Sequence, residues 1–180
     1  MKYCGECGQS VNLAVPEGDN RERYICGSCG TIHYRNPLVV AGCVPVHDDK
    51  ILLCRRAIEP RKGYWTVPAG FMELGETVDA AAAREAQEEA VADVEIGPLL
   101  AVVDVVHAGQ VHVFFDALLA KPEFAAGDET LEAGLFAVAD IPWDDIAFTS
   151  VRIALERHLE NRRNGGRCEV LMTAVPRMPL

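Results

Sequence analysis

Two Cys-x-x-Cys pairs open the chain, strand-like runs alternate with two helical stretches after residue 36, and the first helical stretch carries three closely spaced glutamates. The alternation predicts an α/β fold, a mixed sheet between helices (an α/β/α sandwich), and the cysteine pairs predict a small zinc ribbon ahead of it. A chain of 180 residues buries one core of ordinary domain size and carries at most a small appendage that lacks a core of its own. We expect a ribbon over residues 1–35, the main domain over 36–163, and a C-terminal tail over 164–180 with no clear period.

A hydrophobic share of 49% with 24% charged residues is that of a globular protein and excludes disordered and fibrous classes. Twenty-seven acidic against 17 basic residues leave a net charge of -10, which disfavours nucleic-acid binding because contacts to phosphates are dominated by cations. If the substrate is a polyphosphate, a cation must bridge it to the protein. No apolar run approaches the roughly 18 residues of a membrane span, and Met1-Lys2-Tyr3-Cys4 enters a cysteine motif without an apolar signal segment, so a cytoplasmic protein is expected.

In the ribbon, Cys4 and Cys7 are separated from Cys26 and Cys29 by 18 residues, and each pair sits in a near-repeat whose glycines permit tight turns. Two disulfides or a redox dithiol are the competing readings, but a reducing compartment opposes the first and no surrounding βαβ pattern supports the second. Four thiolates complete a tetrahedral zinc site with no open position, so the ion's role is folding energy. His33 is a candidate to replace one cysteine, although four sulfurs already suffice. Lys2, Arg21, Arg23 and Arg35 are matched by Glu6, Glu17, Asp19 and Glu22, so the ribbon lacks a basic footprint.

Asn36-Pro37 marks a boundary, followed by a strand from Leu38 to Val46, a turn at His47-Asp48-Asp49 and a returning strand from Lys50 to Arg55. A Pro-, Lys- and Gly-rich loop leads to a short apolar segment, Trp65 to Pro68, and then to Gly70. Thr77 is the N-cap expected for a helix from Val78 to about Ala90. Strands follow at Val94 to Ile96, Leu99 to Val106 and Val111 to Ala120, with a turn at Ala108-Gly109-Gln110 and a further short strand near Leu135 to Val138. Thr149 or Ser150 is expected to cap a last helix that runs to about Arg162 and ends at Gly165-Gly166.

On the first helix, Glu85, Glu88 and Glu89 stand at i, i+3 and i+4, which places three carboxylates together on one face. A solvated acidic face is the ordinary meaning of such a cluster. Here the cluster follows Gly70 and Glu76, with Arg84 beside it: Gly70-Phe71-Met72-Glu73-Leu74-Gly75-Glu76, seven spacers, then Arg84-Glu85-Ala86-Gln87-Glu88-Glu89. This resembles the Nudix box and meets six of its seven fixed letters. Val91 stands where the family has glycine, and because a β-branched residue disfavours the left-handed conformation, the helix is expected to run on or turn differently there. The resemblance implies a Nudix-type mixed sheet, metal binding by Glu85, Glu88 and Glu89, and a general base among the acidic residues.

Clustered carboxylates suit Mg²⁺ (or Mn²⁺), which would neutralise substrate phosphates and activate a water. Gly70 would let the backbone approach metal or phosphate, and the backbone carbonyl of Ala69 could supply a further oxygen ligand; an ordinary turn glycine is the plainer account. Arg84 can pair with Glu88 and orient it, while Glu76 either adds a ligand or supports the loop. Glu129 and Glu132 resemble the later acidic residue that some members use, though a solvated loop explains them as well. Cys43 and Cys54 read as core residues, and Trp65 as a packing residue.

For substrate contacts, the candidates are Arg55, Arg56, Gly70 and Gln110. The runs Leu52-Leu53-Cys54-Arg55-Arg56, Trp65-Thr66-Val67-Pro68-Ala69-Gly70-Phe71 and Ile141-Pro142-Trp143 are similar to the zinc-ribbon Nudix group that includes plant FAD pyrophosphatases. That resemblance implies hydrolysis of a small-molecule dinucleotide, FAD to FMN and AMP or ADP-ribose; a homodimer is expected, and the charge and hydropathy above predict no nucleic-acid or membrane partner. The alternatives are an NADH pyrophosphatase, whose Ser-Gln-Pro-Trp-Pro-Phe-Pro motif this chain lacks, and a non-catalytic nucleotide-sensing module. In the corresponding stretch, Val111, Val113 and Phe115 are expected to face the core and His112 and Phe114 the other side.

Overall fold

The computed structural model describes residues 1–176 and divides into two compact units, the first spanning Met1–Pro37 and the second beginning at Leu38. The first unit is a three-stranded antiparallel sheet of β1 (Val11–Ala14), β2 (Arg23–Cys26) and β3 (Ile32–His33) in the order β1-β2-β3. Its buried hydrophobic residues are Cys4 and Cys26, so apolar burial gives this unit little to fold around.

The second unit contains β4 (Leu38–His47), β5 (Lys50–Arg56), β6 (Trp65–Thr66), β7 (Ala69–Phe71), α1 (Val78–Ala90), β8 (Glu95–Val105), β9 (Gln110–Leu118), β10 (Thr130–Ala137), α2 (Thr149–Arg163) and β11 (Leu171–Ala174). One sheet runs β10-β5-β4-β9-β8-β11, with β6 attached to β5 and β7 to β4. The β4/β9 and β8/β11 pairs are parallel and the others antiparallel, which makes the sheet mixed as the sequence predicts. Alternation along β4 divides two cores. Val44 joins Ile51, Leu53, Leu100, Val103 and Phe114 against Val151, Ala154, Leu155 and Leu159 of α2, while Ala41 and Cys43 pack on Ala81, Ala82 and Ala86 of α1. Each fully buried Leu, Ile or Phe contributes about 1.5–3 kcal/mol.

The alanines of α1 let the helix sit close on the sheet, and they share their stripe with two acids. Ala81, Ala82, Glu85, Ala86, Glu89 and Ala90 are the buried residues of α1, the one-sided pattern of a packed helix. Glu85 and Glu89 are each 8% exposed, so the acidic cluster is not a solvated face. Thr77 caps the helix as expected, its hydroxyl accepting from the Ala80 N–H at 3.4 Å.

Several elements differ from the sequence reading. The two strands expected over Val94 to Ile96 and Leu99 to Val106 are one strand, β8 from Glu95 to Val105, which absorbs Gly97 and Pro98 through register shifts against β9. The short strand expected near Leu135 to Val138 is the end of the eight-residue β10, which stops at Ala137 and pairs along β5. The 164–180 tail is not aperiodic throughout, because Leu171–Ala174 forms β11 beside β8; Arg177 to Leu180 lie outside the described residues. Neither Thr149 nor Ser150 caps α2: Phe148 occupies that position without a side-chain bond, and the Ser150 hydroxyl is engaged elsewhere. On β9 the alternation holds but its deepest member is Phe114, fully buried in the α2-side core.

Val91 corrects a further expectation. It takes the left-handed conformation (φ 48°, ψ 34°) and ends α1 there despite its branched side chain. Its N–H bonds to the Gln87 carbonyl at 3.0 Å, and that of Ala92 to Ala86 at 3.2 Å. Ala92 is buried in a cluster with Cys54, Ala90 and Leu119, and this packing holds the turn against the local preference. Val91 itself is 46% exposed, so little packing is lost on removing its side chain. Val91→Gly should therefore raise stability by about 1 kcal/mol, read as a higher urea midpoint at unchanged slope.

Candidate active site

Arg84 organises the acidic end of α1. Its Nε and Nη2 donate to the two Glu76 oxygens at 3.1 and 2.9 Å, Nη1 reaches Glu85 and Glu88 at 2.8 Å each, and Nη2 also donates to the Phe71 carbonyl at 3.0 Å. The five N–H groups of a guanidinium thus meet five acceptors. Glu76 also accepts from the Glu73 N–H at 2.6 Å, so both of its oxygens are occupied and it supports the loop. The hydrogen bond from Arg84 holds the Glu76 carboxyl below its usual range.

Gly70 lies in β7, paired with Ala41, and is not a turn glycine. A β-carbon at Gly70 would lie 2.4 Å from the Glu85 carboxyl group, so glycine there lets that carboxyl keep its seat against the backbone and any side chain would displace it. One residue earlier, the Ala69 N–H donates to Glu89 Oε2 at 3.0 Å. Burial raises the Glu85 carboxyl despite Arg84, and burial pushes Glu89 up to about 7 despite the Ala69 N–H. These are buried acids whose negative charge is incompletely compensated, and their hard oxygens suit a divalent cation. Gly70, Ala69, Glu85, Glu88, Glu89, Arg84 and Glu76 come together here. The three α1 carboxylates do not converge to one point: among the described residues only the cysteines bring three or more ligand atoms of His, Cys, Asp or Glu within 4.8 Å of one another.

Those cysteines are the ribbon's four. Cys4 Sγ and Cys29 Sγ lie 3.7 Å apart and Cys7 Sγ and Cys26 Sγ 3.5 Å, close to the roughly 3.8 Å edge of a tetrahedron with 2.3 Å zinc–sulfur bonds. Both knuckles close alike, Gly8 N–H onto the Cys4 carbonyl and Gly30 N–H onto that of Cys26, with φ of 72° and 76°. The set fits zinc. His33 is not in place of a cysteine; its Nε2 lies 3.2 Å from Cys4 Sγ as an outer partner, as the Thr31 hydroxyl does at 3.1 Å from Cys29. The Thr31 hydrogen bonds bring Cys29 down to about 6.

A model of the NUDIX domain matches residues 36–154, and one described as Nudix N-terminal, a zinc ribbon, matches residues 2–35. The chain belongs to the Nudix family. A Nudix hydrolase structure from Nitrosomonas europaea is 48% identical with a TM-score of 0.92, covering 97% of this chain and 100% of that one. An ADP-ribose pyrophosphatase of Methanocaldococcus jannaschii is 35% identical over 113 residues, 61% of this chain and 67% of that protein. The NAD-capped RNA hydrolase NudC of Vibrio atlanticus is 37% identical over 97 residues, 52% of this chain; the match spans only 33% of NudC.

Around this Nudix site the other candidates separate. The Arg55 Nε donates to the Gly63 carbonyl at 2.9 Å, and its Nη1 lies 3.7 Å from Glu132, which sits in β10 and not in a loop. Arg56 stacks over Phe148 at 5.1 Å and helps to hold Glu89 ionised. Glu129, next to β10, acts on both Glu85 and Glu89 to raise them, which ties it to the site. The loop before it is pinned to the end of α1 through Ala125 N–H to the Ala90 carbonyl at 2.8 Å and Gly127 N–H to that of Glu89 at 3.0 Å. Gln110 stands apart from the carboxylates, opposite Leu38 in the β4/β9 pairing. Its partner is His112, whose other ring nitrogen meets Ser150. No local signal reveals that chain, because Ser150 lies 38 positions from His112.

Because the Glu89 carboxyl is at about 7 in the fold against 4.5 ordinarily, ionising it costs the folded state alone. Its contribution to stability is complete below pH 4.5 and is lost as pH rises through 7, up to about 3 kcal/mol. Protein dialysed free of Mg²⁺ and Mn²⁺ should show a falling urea midpoint over that window, and Glu89→Gln should flatten most of the slope.

Proposed function

We propose that this chain is a metal-dependent pyrophosphohydrolase that cleaves a nucleoside diphosphate derivative, with FAD (to FMN and AMP) or ADP-ribose as substrate. The observation that carries the proposal is the Glu85 carboxylate seated against the Gly70 backbone inside the Arg84 clamp. Glu85, Glu88, Glu89 and the carbonyl of Ala69 are the groups that would hold Mg²⁺ or Mn²⁺. When bound, the cation supplies neutralisation of the diphosphate and a water of lowered pKa. Arg84 positions carboxylates and has no N–H left for phosphate. Arg56, which among the described residues uses only Nε, on the Pro60 carbonyl at 2.9 Å, is the better placed arginine for the diphosphate. Cys4, Cys7, Cys26 and Cys29 would hold structural zinc.

The relative from Methanocaldococcus jannaschii, named an ADP-ribose pyrophosphatase, supports this substrate class. A second reading, NADH or an NAD-capped end, is favoured by the likeness to NudC over half the chain. The net charge of -10 weighs against an RNA partner. The intact carboxylates of α1 weigh against a nucleotide sensor without turnover.

With Mg²⁺, the protein should release AMP from FAD or ADP-ribose faster than from NADH, and Glu88→Gln should lower kcat on the order of 100-fold, about 3 kcal/mol in the barrier. A preference for NADH or for nucleoside triphosphates would overturn the substrate assignment. Binding without turnover in both forms would leave a sensor.

A further inference from the structure

The function above does not use a part-buried polar chain that joins β9 to α2. Ser150, 2% exposed in the first turn of α2, has its hydroxyl 3.0 Å from His112 Nδ1, and His112 Nε2 lies 2.9 Å from the side-chain oxygen of Gln110. Burial pushes the imidazole down to about 4, so at neutral pH the ring carries a single N–H. With its amide oxygen, which can only accept, turned toward Nε2, Gln110 draws that N–H onto Nε2 and leaves Nδ1 to accept from the Ser150 hydroxyl. The chain therefore has one direction and ends by fixing the amide plane of Gln110. The amide NH₂ has no partner among the described residues.

Sheet register shows what lies beside that NH₂. Gln110 pairs with Leu38, His112 with Val40, and Val40 on its other side with Phe71. Paired residues and their alternate neighbours share a face, so Leu38, Val40, Phe71, Gln110 and His112 stand on the α2 side of the sheet. Phe71 is 52% and Leu38 57% exposed, a large aromatic and an aliphatic surface in the open. Two interstrand spacings and a two-residue offset separate Phe71 from Gln110 by roughly 12 Å, a gap that a planar ring system seated on the exposed Leu38 can bridge. Phe71 is also continuous with the acidic site: its carbonyl accepts from Arg84, and its neighbour Gly70 carries the Glu85 contact. Among the described residues β7 pairs with β4 alone, and its other edge carries the Ala69–Glu89 and Phe71–Arg84 bonds, so the carboxylates stand at the edge around which an extended ligand can pass to this surface.

Resting on the dinucleotide function above, we propose that Ser150 and His112 are positioning residues that lock the Gln110 amide, so that its NH₂ recognises an acceptor on the planar heteroaromatic group of the substrate while Phe71 offers the stacking face. Gln110 is then a specificity-determining residue. Ser150 and His112 act only through it.

Steady-state kinetics with FAD and ADP-ribose test this, alongside calorimetric binding of both compounds to magnesium-free protein. Gln110→Ala and Gln110→Glu should each raise KM and weaken magnesium-free binding five- to tenfold, with kcat within twofold. The glutamate keeps the acceptor for His112 but has no NH₂ to offer. Ser150→Ala should reproduce the KM effect, and Ser150→Ala with Gln110→Ala should add nothing to Gln110→Ala alone. Wild-type KM and binding in Gln110→Glu, or a lowered melting temperature in Ser150→Ala with KM unchanged, would overturn the proposal. If the wild type binds the dinucleotides in a Gln110-dependent way but does not cleave them, the hydrolase function falls and this subsite stands. If it neither binds nor cleaves them, both fall.

Discussion

The close seat of the Glu85 carboxylate on the Gly70 backbone is the constraint on which the rest of the site depends. It rests on a strand position without a side chain facing a helix that lies low on the sheet, and the alanines of α1 provide that low seat. Once it is fixed, the neighbouring geometry follows. Ala69 is brought within reach of Glu89, Phe71 within reach of Arg84, and Arg84 spans the gap to Glu76 on the loop before the helix. Desolvation that would cost a helix stability becomes useful here, because buried carboxylates with few cationic neighbours favour a divalent ion over bulk water.

The two units treat negative charge in different ways. In the ribbon, four soft thiolates close a tetrahedron with no room for a further ligand, which suits an ion that holds a small unit together. On α1, hard oxygens are held apart on a rigid element, next to one backbone strand and below a loop pinned to the end of the helix. Such a site leaves space for water and phosphate oxygens, as a cation engaged in chemistry requires.

Much of this was legible in the residues. The cysteine spacing, the i, i+3, i+4 glutamates and the Thr77 cap depend on short-range geometry, and each appears where local rules place it. What local rules miss is set by tertiary contact. Nothing near Glu85 and Glu89 in the sequence marks them as buried while Glu88 stays exposed; the stripe of small alanines beside them was the available sign. Val91 adopts a conformation its own side chain opposes because Ala92 is held in a core cluster. Glu129 approaches the site only because its loop bonds to the last carbonyls of α1, and the Ser150–His112–Gln110 chain joins residues far apart in sequence. The tail's strand β11 carried no period because four residues on a sheet edge are too few to show one.

The central claim is that glycine at position 70 lets the carboxylates of α1 assume a cation-binding arrangement. Mn²⁺ binding to Gly70→Ala, followed by electron paramagnetic resonance, tests it most directly. The account predicts that affinity falls at least tenfold while the circular dichroism and the zinc content of the protein are kept. Manganese bound as tightly by Gly70→Ala as by the wild type would contradict it.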